Sequence, residues 1–186
     1  MMRIIAGKYK GTRLHAPTGT TTRPTSDRAR QIIFDIILHA PWAGKLFIEN
    51  AIVCDMFAGT GALGLEALSR GAQKVCFFEK NDDTRLFLQK NINVCRANSV
   101  SCIYKDNLYI SSTKISSDLI FLDPPYQQNL IPFSLHNLMI KGWISKKSLI
   151  ITETSTRETL NLDLPFHLLS ERKVGAAWIK FWKIND

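Results

Sequence analysis

The sequence predicts an α/β fold of the doubly wound kind, with a mostly parallel sheet and an antiparallel hairpin at its carboxyl end. Short apolar runs alternate with helical stretches or loops from residue 51 onward, and the first run opens onto a glycine-rich loop. Acids stand after the first three runs, at Asp55, Glu79 and Asp106, which places them on one edge of such a sheet. The last two runs, Phe166 to Glu171 and Ala176 to Ile184, are separated by only a few residues around Gly175. A parallel pair needs a crossover of a dozen or more residues, so these two pair antiparallel.

The elements follow in order. Residues 1–22 hold two extended pieces, Arg3 to Ala6 and Thr12 to His15, around Gly7 and Gly11, and predict a small mobile hairpin. In SDRARQIIFDIILHA, Ala29, Ile33, Ile36 and Ile37 share a helical face, Thr25 or Ser26 can cap the start, and Pro41 stops the helix. Ala51 to Phe57 is the first strand and Leu63 to Ser69 a helix ended by Gly71. Val75 to Phe78 is the second strand, and Asn81 caps a helix running to about Ala97 with Leu88, Ile92 and Cys95 inward. Val100 to Tyr104, Leu119 to Leu122 and Leu149 to Thr152 are the remaining parallel strands. One domain over 1–186 is expected: a basic hairpin extension (1–22), a lead-in helix (23–50) and the α/β core (51–186).

Composition narrows the function classes. The 186 residues are 45% hydrophobic and 22% charged, a soluble globular balance, and no apolar run approaches a bilayer's thickness. The start, MMRIIAGKYKGTRL, has no signal-peptide core, so a cytoplasmic protein without a membrane partner is expected. The four cysteines form no C-x-x-C pair and no histidine stands near them at ligand spacing, which argues against metal and disulfides. The net charge of +8 is uneven: residues 1–30 hold seven cations against Asp27 alone, leaving +2 for the rest. A basic segment beside a nearly neutral body points to a polyanionic partner, nucleic acid above all. The candidate contacts are Arg23, Arg28 and Arg30, with Lys8 and Lys10 on the hairpin.

GTGALG, Gly59 to Gly64, matches the glycine fingerprint for a dinucleotide, and Glu79 follows Gly59 by 20 residues, where a ribose hydroxyl is met. Asp55, four residues before Gly59, argues against that ligand. A carboxylate roughly 4 Å from a phosphate costs about 1 kcal/mol in water and about 4 at an effective dielectric near 20. S-adenosylmethionine carries no phosphate; its sulfonium and ammonium groups turn the same acid into an attraction. Asp106 can accept from an adenine amine.

DLIFLDPPY, residues 118–126, suits methyl transfer to an exocyclic amine of a planar base. That nitrogen is a poor nucleophile because its lone pair is delocalised into the ring. The Asp123 carboxylate and the Pro124 carbonyl can hold its two hydrogens and aim the lone pair. Pro124 and Pro125 keep the chain extended, and Tyr126 can stack on an extruded base for about 1–3 kcal/mol.

RIIAGKYKGTRLHAP, RPTSDRARQIIFDIIL, DMFAGTGALGLEALSRGA and DLIFLDPPY, in this order and spacing, resemble the RsmD family of 16S ribosomal RNA (guanine-N2)-methyltransferases over nearly the whole chain. The resemblance implies a Rossmann-like class I methyltransferase fold that uses S-adenosylmethionine on a guanine of small-subunit ribosomal RNA, free or in a protein-bound 30S particle, as a monomer. It implies that Asp55, Glu79 and Asp106, with Phe57, Gly59, Gly61 and Asn107 beside them, hold the cofactor. Asp123, Pro124, Pro125 and Tyr126 hold the guanine amine. Gln31 and Asp35 depart from the family's usual Glu and Asn, which touches RNA contacts more than the reaction. The rival readings are a DNA adenine-N6 methyltransferase, a non-catalytic ribosome assembly factor and a nicotinamide-dependent oxidoreductase. Against them stand the absence of a separate DNA-reading module, the intact DPPY, and Asp55.

Overall fold

The computed structural model describes residues 2–17, 26–105, 110–126, 128–162 and 165–185. Apolar runs form β1 (Ile52–Asp55), β2 (Lys74–Phe78), β3 (Ser101–Tyr104), β4 (Leu119–Leu122) and β5 (Leu149–Ser155), all buried on both faces except the half-buried edge strand β3. They are joined by β6 (Phe166–Val174) and β7 (Ala177–Ile184). The seven strands make one sheet in the order β3-β2-β1-β4-β5-β7-β6. Pairing is parallel from β3 through β5, and β7 runs antiparallel to both β5 and β6. The mostly parallel sheet with its terminal hairpin is therefore as expected. β1 sits centrally, with β2 on one side and β4 on the other, so the chain's two directions of growth diverge at its carboxyl end. That divergence opens the crevice in which sheets of this kind bind ligands.

Alternation along the strands sorts side chains onto two faces. Val53, Val75, Phe77, Phe121 and Ile151 face α1 (Asp27–His39), α3 (Ala62–Ser69) and α4 (Asp82–Val94). Cys54, Phe78, Ile120, Leu122 and Ile150 face α5 (Leu130–Ile140). A short helix, α2 (Lys45–Ile48), follows α1 and had no counterpart in the sequence reading. The link from β3 to β4 contains no helix among the described residues. α1 is capped by Ser26, whose hydroxyl accepts from the Ala29 amide, and α4 by Asn81, which accepts from Thr84. Ile36 is only half-buried, and Phe34 takes the core position instead.

Two expectations about the basic segment are corrected. Arg30 is not a surface cation: its side chain is fully buried, and Nη2 donates to the Arg3 carbonyl at 2.8 Å and to Asp27 at 2.5 Å. Its Nη1 lies 3.8 Å from the carboxylate of Glu66, itself fully buried on α3. Nor does the hairpin float. Glu66 accepts the backbone amides of Ile5 (2.7 Å) and Ala6 (3.0 Å), and the Arg70 guanidinium at 2.8 Å. Ser69 takes the Lys8 amide on its carbonyl and the Tyr9 amide on its hydroxyl. Ile4 and Leu14 are buried in the same core cluster. A helix whose eight residues are all buried needs cover on its outer side, and the hairpin supplies it.

Removing Glu66 would leave Arg30 charged and buried with less compensation. Glu66→Ala is expected to destabilise the fold by roughly 3–5 kcal/mol, measured as the shift in urea midpoint at constant slope. A loss below about 1 kcal/mol would show that the hairpin is held by its apolar contacts alone.

Candidate active site

The glycine loop runs from the end of β1 into α3, and its glycines divide by task. Gly61 has φ +85°, and a Cβ there would lie 2.5 Å from Leu88 Cδ1; one on Gly64 would lie 2.3 Å from Phe77 Cε1. These two let the loop and helix close onto the sheet and α4. Gly59, at φ +53°, has open space where its side chain would begin. That is the face on which a ligand could approach the backbone.

Two acids hold this loop. Asp55 is 2% exposed, and its Oδ2 accepts the Gly64 amide at 3.0 Å, tying the strand end to the first turn of α3. Glu79, half-buried at the end of β2, accepts the Gly59 amide at 2.9 Å on Oε2 and the Asn81 amide at 2.8 Å on Oε1. Its carboxylate keeps lone pairs for further donors. Burial pushes Asp55 up to about 7, with Asp123 and Glu79 adding to the rise and the Gly64 amide opposing it. Asp55 is thus a buried group, about half ionised at neutral pH, rather than an open charge at the loop's mouth. Phe57 is half-buried beside it. Asp106 and Asn107 lie outside the described residues.

Asn91 was not singled out by the sequence, and it joins the loop to the amino-terminal segment. Fully buried on α4, it accepts the His15 amide at 2.7 Å and donates to the carbonyls of His15 and Thr60, both at 2.9 Å.

The DPPY segment leaves β4 next door. Asp55 pairs in register with Phe121, and Asp123 follows two residues later, just past the end of β4. Asp123 is half-buried, Pro124 buried, Pro125 exposed and Tyr126 half-buried. The Tyr126 hydroxyl donates to Glu153 Oε1 on β5 at 3.1 Å, which anchors the ring by its polar end. A pocket beside the segment is lined by Pro124, Pro125, Tyr126, Glu153, Thr154 and Glu158, among others. Of the candidate cations, Lys8, Lys10 and Arg28 are exposed, Arg30 is interior, and Arg23 lies outside the described residues. Among the described residues no cluster could hold a metal ion, and no helix is long and apolar enough to cross a membrane.

A family model described as conserved hypothetical protein 95 matches residues 2–183. The ribosomal RNA small subunit methyltransferase D of Haemophilus influenzae is 31% identical over 187 residues, spanning 98% of this chain and 93% of that one. The chain belongs to this family, the RsmD family. A second RsmD relative, from Buchnera aphidicola of Acyrthosiphon pisum, is 34% identical over 159 residues, covering 84% of this chain and 80% of its own. The solved yhhF structure of Escherichia coli superposes with a TM-score of 0.83 at 28% identity, over 99% of this chain and 98% of that one. The RsmD fold is that of the class I methyltransferases.

Proposed function

We propose that this protein transfers a methyl group from S-adenosylmethionine to the exocyclic N2 of a guanine in small-subunit ribosomal RNA. The observation that carries the reading is that Asp123 and its prolines follow directly on β4, the strand beside the one that opens into the glycine loop, close enough for Asp123 to raise the pKa of Asp55. Family membership, and relatives named ribosomal RNA small subunit methyltransferase D, support it.

The residues fit the cofactor. Gly59 offers an open backbone face, Glu79 can accept ribose hydroxyls, and Asp55 below them becomes a full negative charge when a cation is near. Asp106 and Asn107 would meet the adenine. When bound, S-adenosylmethionine supplies an activated methyl group whose S–C bond breaks as the new N–C bond forms, leaving a neutral thioether. Asp123 accepts one amine hydrogen and the Pro124 carbonyl the other, drawing the nitrogen out of conjugation and aiming its lone pair. The nitrogen gains positive charge as it bonds, and Asp123 stabilises that charge and is placed to take the proton afterwards. Tyr126, pinned by Glu153, presents its ring to the base.

The test is to map label after incubation with methyl-labelled cofactor and, in parallel, unmethylated small subunits, their free RNA, and DNA. N2-methylguanine in the RNA is the expected product. Label on adenine N6 of DNA, or no transfer by a folded protein, would overturn the proposal.

RNA binding should divide along the cation geometry. Each phosphate contact contributes a log–log salt slope of about −0.7 to −0.9. Replacing Lys8 and Lys10 by alanine is expected to flatten the slope by about 1.5 in a filter-binding titration while leaving cofactor affinity within a few-fold. Arg28→Ala should lower methylation at subsaturating RNA. An unchanged slope in the double lysine variant would remove the hairpin from the RNA interface.

A further inference from the structure

Glu153 is the one charged residue of β5, which reads LIITETS and is buried in all but its last residue. The residue is 9% exposed, on the wall of the pocket next to DPPY. Leu122, the last residue of β4, pairs with Thr152, so β5 continues into Glu153 where the chain leaves β4 at Asp123. Burying a carboxylate is costly unless it is hydrogen-bonded, and the Tyr126 hydroxyl supplies one bond at 3.1 Å. That contact orients Glu153 and ties it to the DPPY segment. Thr154 Oγ1, buried on the same pocket wall, has no hydrogen-bond partner among the described residues, a sign that the pocket takes a polar ligand.

We propose that Glu153 distinguishes guanine from adenine by accepting the guanine N1–H, while Asp123 and the Pro124 carbonyl hold the neighbouring N2 amine. This rests on the guanine-N2 reading above and names the group that enforces it. The two purines present opposite edges. Beside its exocyclic amine, guanine carries a ring N–H, a donor, whereas adenine carries a bare ring nitrogen, an acceptor. A buried carboxylate attracts the first and repels the second. DPPY sees only an amine and its two hydrogens, and cannot by itself tell the bases apart. Sites that hydrogen-bond a substrate N–H reject analogues lacking it far more strongly than apolar pockets reject a change of shape. Glu158, also on the wall, is already engaged by the Ser155 amide at 2.9 Å, at the turn beyond β5. Glu153 is the acid tied to the DPPY segment, through the Tyr126 hydroxyl.

The experiment uses the full chain and target RNA assembled by ligation, free or reconstituted into subunits, with guanine or 2-aminopurine at the mapped position. 2-Aminopurine keeps the C2 amine but has no N1–H. Wild-type protein is expected to prefer guanine by at least about ten-fold in kcat/KM. Glu153→Gln should narrow that preference several-fold with an unchanged melting temperature. The glutamine oxygen still accepts from Tyr126, and its amide can donate to the bare N1. If Glu153→Gln does not fold, Glu153→Asp, which draws the acceptor back by one methylene, is read in the same way. Equal use of both bases by the wild type, or an unchanged ratio in the variant, overturns the role of Glu153 and leaves the guanine-N2 reading standing. Absence of transfer to either RNA by folded wild-type protein sinks that reading, and this inference with it.

Discussion

Asp123→Ala is expected to lower single-turnover methyl transfer by two to three orders of magnitude, the usual scale for losing one group that stabilises developing charge. Cofactor affinity, measured by calorimetry, should stay within a few-fold, because the loop-holding bonds of Asp55 and Glu79 do not involve Asp123. An accompanying signature separates this from general damage. Asp123 is one of the charges that raise Asp55, so its removal should lower the pH at which Asp55 titrates. Full activity in a folded Asp123→Ala protein would exclude the amine-holding mechanism.

Asp55→Asn should make the ligand-free protein more stable above neutral pH while weakening its hold on the cofactor. Asp55 ionises near 3.8 when unperturbed and at about 7 in the fold, chiefly through burial. A group raised in this way favours the fold while it is protonated. Its contribution is complete below about pH 4 and disappears as pH rises to about 7, in total roughly 4 kcal/mol at 1.36 kcal/mol per unit. Asparagine keeps an oxygen for the Gly64 amide and carries no charge to bury. Thermal melts between pH 4 and 8 should therefore show a flatter profile for the variant and a higher midpoint at pH 8. Added S-adenosylmethionine should reverse the order, since the wild type alone gains a carboxylate opposite a cation. Its binding should strengthen as pH rises through 7 and should release protons. An Asp55→Asn profile as steep as the wild type's would show that Asp55 is not the group being titrated.

Much of the fold was legible because the central strands are buried on both faces. LIFL at 119–122 has no polar residue to blur its ends, and the observed strand has the same bounds. The reversed strand was legible from chain length alone, since so few residues around Gly175 cannot cross a sheet. Other elements left weaker traces. α5 reads LIPFSLHNLMI, apolar almost all round, and it leaves Phe133, Met139 and Ile140 exposed, so no periodic stripe marks it. Arg30 looked like one more cation in a basic run because its partner Glu66 is 36 residues away. Helical spacing places it beside Phe34 and Ile37, but only the tertiary fold supplies the acids that let it be buried. The same distance hid the site's polar contacts. Tyr126 was legible as a ring and Glu153 not at all, because their bond joins residues 27 apart on different elements. Asn91 gave no signal, being one amide among several on a polar helix.

The network of Arg30, Glu66 and Arg70 also sets how this chain can drift over generations. Exchanging Glu66 for an apolar residue takes a carboxylate from two guanidinium groups, leaving Arg30 with Asp27 as its ion-pair partner, and frees the Ile5 and Ala6 amides; exchanging Arg30 first leaves Glu66 with less compensating charge. Neither single step is tolerable, whereas simultaneous replacement by apolar residues of matching volume can be neutral. Across descendants of this lineage, positions 30, 66 and 70 should therefore hold still or change as a group. The exposed cations at 8, 10 and 28 are under no such joint packing constraint, so each can change without a compensating change elsewhere in the fold.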